Sequence, residues 1–131
     1  MKMIHSMIRV SDVDQSINFY RDTFGLQLKE RAEFSTFTLV YLGDERGFEL
    51  ELTWNADRSA PYEMGSGYGH LAFLTDELDQ FHSRLESAGL SPQPIKNMDF
   101  AGKPFARFFF LVDPDGYKIE VLERSGRFSD Q

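Results

Sequence analysis

The 131-residue chain contains no cysteine. No disulfide can hold the fold, and any bound metal must sit on nitrogen and oxygen ligands. No apolar run approaches the roughly 20 residues of a membrane-spanning helix. The N-terminus lacks the apolar core of a secretory signal and meets His5 and Arg9 at once. Cations are also short: 14 Lys and Arg against 21 Asp and Glu give a net charge of −7, which argues against nucleic acid or an anionic membrane as the main partner. These absences lead to the expectation of a soluble, cytoplasmic protein that handles a small molecule. What is present is a globular composition, 41% hydrophobic with 13 phenylalanines, enough for one domain with its own core.

Period-two and period-3.6 patterns divide the chain. Met3–Val10 reads as a strand with His5, Met7 and Arg9 on one face and Ile4, Ile8 and Val10 on the other. Ser11-Asp12 is a cap signal, and Val13, Ile17, Tyr20 and Phe24 step along a helix that Gly25-Leu26 ends. Leu26–Glu33 and Ser35–Leu42 read as strands, Gly43–Gly47 as a turn, and Phe48–Asn55 as a strand. On that last strand Glu49, Glu51, Thr53 and Asn55 share a face. Ala56–Gly69, rich in Pro, Gly, Ser and Asp, reads as a linker or functional loop.

The first half then starts again. Gly69–Leu74 opens on His70 as the first strand opens on His5, and Thr75-Asp76 repeats the cap. A helix burying Leu78, Phe81, Leu85 and Ala88 ends at Gly89-Leu90, all at an offset of 64 or 65 residues. A Pro-broken segment follows, then a loop at Asn97–Pro104, a strand at Phe105–Val112, the turn Asp113-Pro114-Asp115-Gly116 and the strand Tyr117–Leu122. The expectation is one α+β domain of two tandem βαβββ modules with curved, mostly antiparallel sheets. The modules cover about residues 1–60 and 66–125, with a tail at 126–131.

Each half offers an early strand histidine and a late strand glutamate: His5 with Glu51, and His70 with Glu120. Glutamate is a poor strand former, and Glu120 lies between Ile119 and Val121, so a positive partner would account for it. A pseudo-twofold between duplicated halves would bring two imidazoles and two carboxylates together, a donor set suited to a divalent first-row ion. Taken singly, each of these residues has an ordinary surface or core explanation; four in register weigh the other way. Glu49 shares Glu51's face and competes for its role, and the repeat does not choose between them. His82 lies mid-helix without a repeat counterpart and reads as structural. Arg9 and Asn55 stand four residues beyond His5 and Glu51, about 13 Å along a strand, at the reach of an elongated charged substrate.

The segments His5–Val10, Ser16–Tyr20, Phe24-Gly25-Leu26, Glu51-Leu52-Thr53-Trp54-Asn55, Tyr62–Gly65, Gly67–His70 and Asp113–Glu120 resemble glyoxalase I, the lactoylglutathione lyase of the vicinal-oxygen-chelate superfamily, in its short bacterial type. The resemblance runs from residue 3 to about 123. It implies His5, Glu51, His70 and Glu120 as ligands of one divalent ion, Ni²⁺ or Co²⁺ before Zn²⁺, and so selects Glu51 over Glu49. It implies glutathione as cosubstrate, with Arg9 and Asn55 on its γ-glutamyl end and Lys103 available for a carboxylate. It implies a homodimer with sites between subunits, and Glu120 as the base that isomerises the methylglyoxal–glutathione hemithioacetal, with Glu51 the opposing carboxylate. The alternatives are another metalloenzyme of the superfamily, such as a CoA-thioester epimerase or a lyase using a different thiol, and a metal-free binding protein of the bleomycin-sequestering kind. Arg107, where small or β-branched residues are common, and Ser66, where some relatives carry arginine, depart from the pattern.

Overall fold

The Asp12 carboxylate takes the Gln15 amide at 2.9 Å and starts α1 (Val13–Phe24). Gly25 ends it in the left-handed conformation, φ 72°, its amide on Arg21 O at 2.9 Å and the Leu26 amide on Tyr20 O at 3.3 Å. The helix buries Val13, Ile17 and Tyr20 against a sheet whose inward residues include Val40, Leu42, Leu50 and Leu52. Each such side chain, fully buried, contributes about 1.5–3 kcal/mol. The computed structural model of the chain describes residues 1–58 and 61–131, in two units, Met1–Glu63 and Met64–Gln131.

The first unit holds β1 (His5–Arg9), α1, β2 (Gln27–Glu33), β3 (Phe37–Gly43) and β4 (Glu49–Asn55) in the sheet order β1-β4-β3-β2. The second holds β5 (Leu71–Thr75), α2 (Leu78–Ser87), β6 (Lys96–Phe100), β7 (Lys103–Val112) and β8 (Lys118–Glu123) in the order β5-β8-β7-β6, followed by a 3-10 turn at Gly126–Phe128. Each sheet has one parallel pairing, β1 with β4 or β5 with β8, and two antiparallel ones. The expected α+β duplication is therefore present as two sheets of identical topology.

Three local expectations differ. The first strand is shorter than Met3–Val10, beginning at His5, and Met3 and Ile4 are exposed. Asp76 does not repeat Asp12 as a cap: the N-cap of α2 falls one residue later, on Glu77, without a side-chain cap bond, and Asp76 Oδ1 instead accepts from Arg124 Nε at 2.6 Å. The loop expected at Asn97–Pro104 is instead the tip of a β6–β7 hairpin, with Phe100 opposite Lys103. Ala101 at φ 52° and Gly102 at φ 75° supply the positive-φ pair that a two-residue hairpin turn requires. The helix ends do match: the Leu90 amide reaches Leu85 O at 3.0 Å past Gly89 as Leu26 does past Gly25. Of the loop expected over Ala56–Gly69, residues 59 and 60 lie outside the described residues.

Candidate active site

Asp113 builds the turn that aims β8. Its Oδ1 accepts from the amides of Asp115 and Tyr117, both at 2.9 Å, and the Tyr117 carbonyl takes the Asp113 amide. The strand that leaves this turn buries Ile119 and Val121, and so turns Lys118 and Glu120 to the opposite face. There Glu120 Oε2 lies 3.0 Å from His70 Nε2, at the entry to β5. In the first unit the same alternation on β4 buries Leu50 and Leu52 and brings Glu51 Oε2 to 3.1 Å from His5 Nε2. The two pairs match in environment as well as distance. The imidazoles are 38% and 40% exposed, the carboxylates 13% and 16%.

Each unit thus presents one imidazole–carboxylate pair, and among the described residues no group of three or more His, Cys, Asp or Glu forms a metal cluster. The pair spacing suits an N–H···O hydrogen bond. It also suits adjacent ligands of one ion, since donors each about 2.1 Å from a metal and at right angles to it stand about 3 Å apart. Nitrogen and carboxylate donors without thiolate fit a first-row divalent ion.

The surroundings of the pairs differ. Across β3–β4, Tyr41 stands directly opposite Glu51, its ring edge-on to His5 at 6.1 Å. Burial, then the charge of Glu51 and a hydrogen bond to it, raise the Tyr41 phenol above its ordinary pKa, so it remains a neutral donor. Thr53 Oγ1 donates to Glu51 Oε1 at 3.4 Å. The residue opposite Glu120 is Phe110, edge-on to His70 at 5.3 Å, and Leu122 holds the place that Thr53 has beside Glu51.

Arg9 Nη1 donates to Asn55 Oδ1 at 2.7 Å, so the ends of β1 and β4 are tied. Beyond them a cavity of about 320 Å³ is lined by Arg9, Asn55, Asp57, Arg58 and Tyr62, with the Arg58 guanidinium 4.4 Å above the Tyr62 ring. In the second unit a cavity of about 540 Å³ adjoins His70, with Lys96, Lys118, Gln93, Tyr68 and Phe110 in its wall. Burial first, then Asp113, raises the Tyr68 phenol. Lys103, exposed at the hairpin tip, lines neither cavity. Lys96 carries no motif or periodic signal in the sequence. The signal for Lys118 was present, two residues before Glu120 on the same strand face. Arg107 points to the helix side of its sheet, where it binds Asp79 and Glu123 at 2.7 Å. His82 ties α2 to the following segment through Nε2 and Gln93 O at 2.9 Å, its ring edge-on to Phe109.

Two units of one topology, each presenting a histidine–glutamate pair on its open sheet face, define a class of duplicated α+β proteins with a bidentate donor set per half. Residues 2–121 match the Glyoxalase/Bleomycin resistance protein/Dioxygenase superfamily, and the chain belongs to it. The lactoylglutathione lyase of Haemophilus influenzae is 36% identical over 94% of this chain and 93% of its own. That of Escherichia coli O157:H7 is 31% identical over 94% and 93%. Among solved structures, the trypanothione-dependent glyoxalase I of Leishmania major is 34% identical with a TM-score of 0.75, over 94% of this chain and 86% of that one. Glyoxalase I of Zea mays has a TM-score of 0.79 at 28% identity, this chain spanning 45% of its length.

Proposed function

We propose that this protein is a lactoylglutathione lyase, converting the hemithioacetal of methylglyoxal and glutathione to S-lactoylglutathione. The observation that carries the reading is the matched pair of donor sets, His5–Glu51 and His70–Glu120, in a chain whose full-length relatives bear that activity's name. The four side chains would hold one divalent ion, Ni²⁺ or Co²⁺ in preference to Zn²⁺, which when bound supplies Lewis acidity to the two adjacent substrate oxygens. By the resemblance to glyoxalase I, we assign the complete site to a homodimer, one chain giving His5 and Glu51 and the other His70 and Glu120.

Glu120 is the base. The C1–H bond breaks, its proton goes to the carboxylate, and the enediolate left behind is reprotonated at C2 from the same group. The hydroxyl proton on the C1 oxygen ends on the C2 oxygen, so the step is an isomerisation with no external reductant or oxidant. Arg9 and Asn55 bind the γ-glutamyl end, where guanidinium and carboxylate groups side by side suit an α-carboxylate and its ammonium. Lys96 and Lys118 suit a thiol with a free carboxylate at its other end. Lys103, exposed at the hairpin tip, stays available for a carboxylate of the cosubstrate.

Thioester absorbance in the ultraviolet tests the reading, measured with methylglyoxal and glutathione after chelation and again after adding Ni²⁺ or Zn²⁺. A metal-restored signal is expected, and its absence with every metal sinks the assignment. Glu120→Gln is expected to lose turnover while retaining part of its metal binding; full activity in that variant removes Glu120 as the base.

A further inference from the structure

The two carboxylates are equivalent by topology, yet their neighbours are not. Glu51 faces a phenol across the β3–β4 pair and has the Thr53 hydroxyl on its own strand at 3.4 Å. At the same two positions of the second unit, Glu120 faces the phenyl ring of Phe110 and stands beside Leu122. The histidine contact is preserved in both halves, an edge-on ring at 6.1 Å from His5 and 5.3 Å from His70. The duplicated pair therefore keeps its aromatic wall and differs in its hydroxyl donors.

We propose that Tyr41, seconded by Thr53, is a positioning residue that holds Glu51 as the fixed carboxylate and so leaves Glu120 as the one free to leave its resting place and carry the proton. The inference rests on the lactoylglutathione lyase reading above for the existence of a proton to be moved, while the asymmetry itself is a property of the folded chain. A carboxylate that accepts hydrogen bonds from fixed donors loses rotational freedom and offers its remaining lone pair in a set direction, which suits a ligand. Glu120, with a phenyl ring across the strand pair and Lys118 and Leu122 flanking it on its own strand, has among the described residues no hydroxyl donor to break from when it swings toward a carbon-bound proton. Cross-strand pairs in an antiparallel sheet place their Cβ atoms about 5 Å apart, so Tyr41 and Glu51 are direct neighbours on one face of the sheet.

Two substitutions of one oxygen each test this on the whole protein. Tyr41→Phe removes the hydroxyl from Glu51 and is expected to weaken Ni²⁺ binding, read by competition with a chromogenic chelator, about tenfold. Phe110→Tyr adds a hydroxyl opposite Glu120, where the ring already lines a cavity with room for it. It is expected to lower kcat about tenfold with KM and Ni²⁺ affinity held or tightened. A residue that merely filled space would give neither the affinity loss in the first variant nor the kcat-selective loss in the second. Unchanged Ni²⁺ affinity in Tyr41→Phe overturns the proposal, and so does an unchanged kcat in Phe110→Tyr. If the unsubstituted protein makes no thioester with any metal, the isomerase reading fails, and the affinity comparison still decides whether Tyr41 holds Glu51.

Discussion

Replacing Arg107 by alanine would separate a structural role for this arginine from a substrate role. Its guanidinium gives Nη1 and Nη2 to Asp79 at the start of α2 and Nη1 to Glu123 at the end of β8, each at 2.7 Å. Asp79 is 69% exposed, so that contact is screened and adds little, whereas Arg107 and Glu123 are 29% and 25% exposed. A hydrogen bond between charged groups at such a half-covered site contributes about 1.5–3 kcal/mol. Ser125 Oγ still donates to Glu123 Oε2 at 3.0 Å after the change, so the carboxylate is not orphaned. The expected loss is about 2 kcal/mol, a fall in Tm of roughly 5–10 °C for a chain of this size. Arg107→Lys should fall between, since an ammonium keeps the charge without the fork. The pH dependence has a definite sign. The Arg107 hydrogen bond holds the Asp79 carboxyl below its ordinary value, so its share of stability is present above the unfolded pKa and lost as pH falls through the folded one. Because that contact is screened, only a small part of the difference between the two proteins in urea unfolding should be lost below about pH 4. A stability unchanged within about 0.5 kcal/mol would refute the argument. A selective fall in kcat/KM at unchanged stability would instead put Arg107 on the substrate.

Asp12→Ala should cost about 1 kcal/mol by urea unfolding, because it removes the acceptor of the Gln15 amide, whereas Asp76→Ala removes no helix cap and should act only through Arg124. Gly126→Ala should destabilise more than Gly89→Ala in thermal melts. Both residues have positive φ, but a Cβ at Gly126 overlaps the Phe105 carbonyl, while one at Gly89 meets nothing within 4 Å. Phe109→Ala, at a fully buried position against Phe81 and His82, should cost about 3–5 kcal/mol.

The halves of the site were legible in the sequence because a repeat offset and a two-residue alternation are both local signals. His5 and Glu51, or His70 and Glu120, follow from which face each strand buries. The hairpin at Ala101-Gly102 was not legible: it lacks an Asn-Gly or Asp-Gly pair, and with it the position of Lys96 opposite Phe108 stayed hidden. The cap expected at Asp76 is not made because α2 starts one residue later, with Glu77 at its N-cap, and the Asp76 carboxylate is held by Arg124, 48 residues on.

The choice between Glu49 and Glu51 shows most clearly what alternation leaves open. Both face the same way, so the registers of β4's two neighbours distinguish their surroundings. Strand β1 sets His5 opposite Glu49 and Met7 opposite Glu51, and β3 decides which of the two meets Tyr41. The turn read as Gly43–Gly47 would pair Leu42 with Phe48 and put Tyr41 opposite Glu49. In the fold the pairing is instead Gly43 with Glu49, which moves Tyr41 opposite Glu51. Glu49 is left beside a glycine, where a Cβ would come within 3.3 Å of its Cγ. A slip of two residues keeps every side chain on its face, and burial patterns cannot detect it. The slip nevertheless determines which carboxylate lies opposite the Tyr41 hydroxyl on β3 and which lies opposite Gly43. On this argument, the turn between β3 and β4 is a determinant of the site, although none of its residues lies in it.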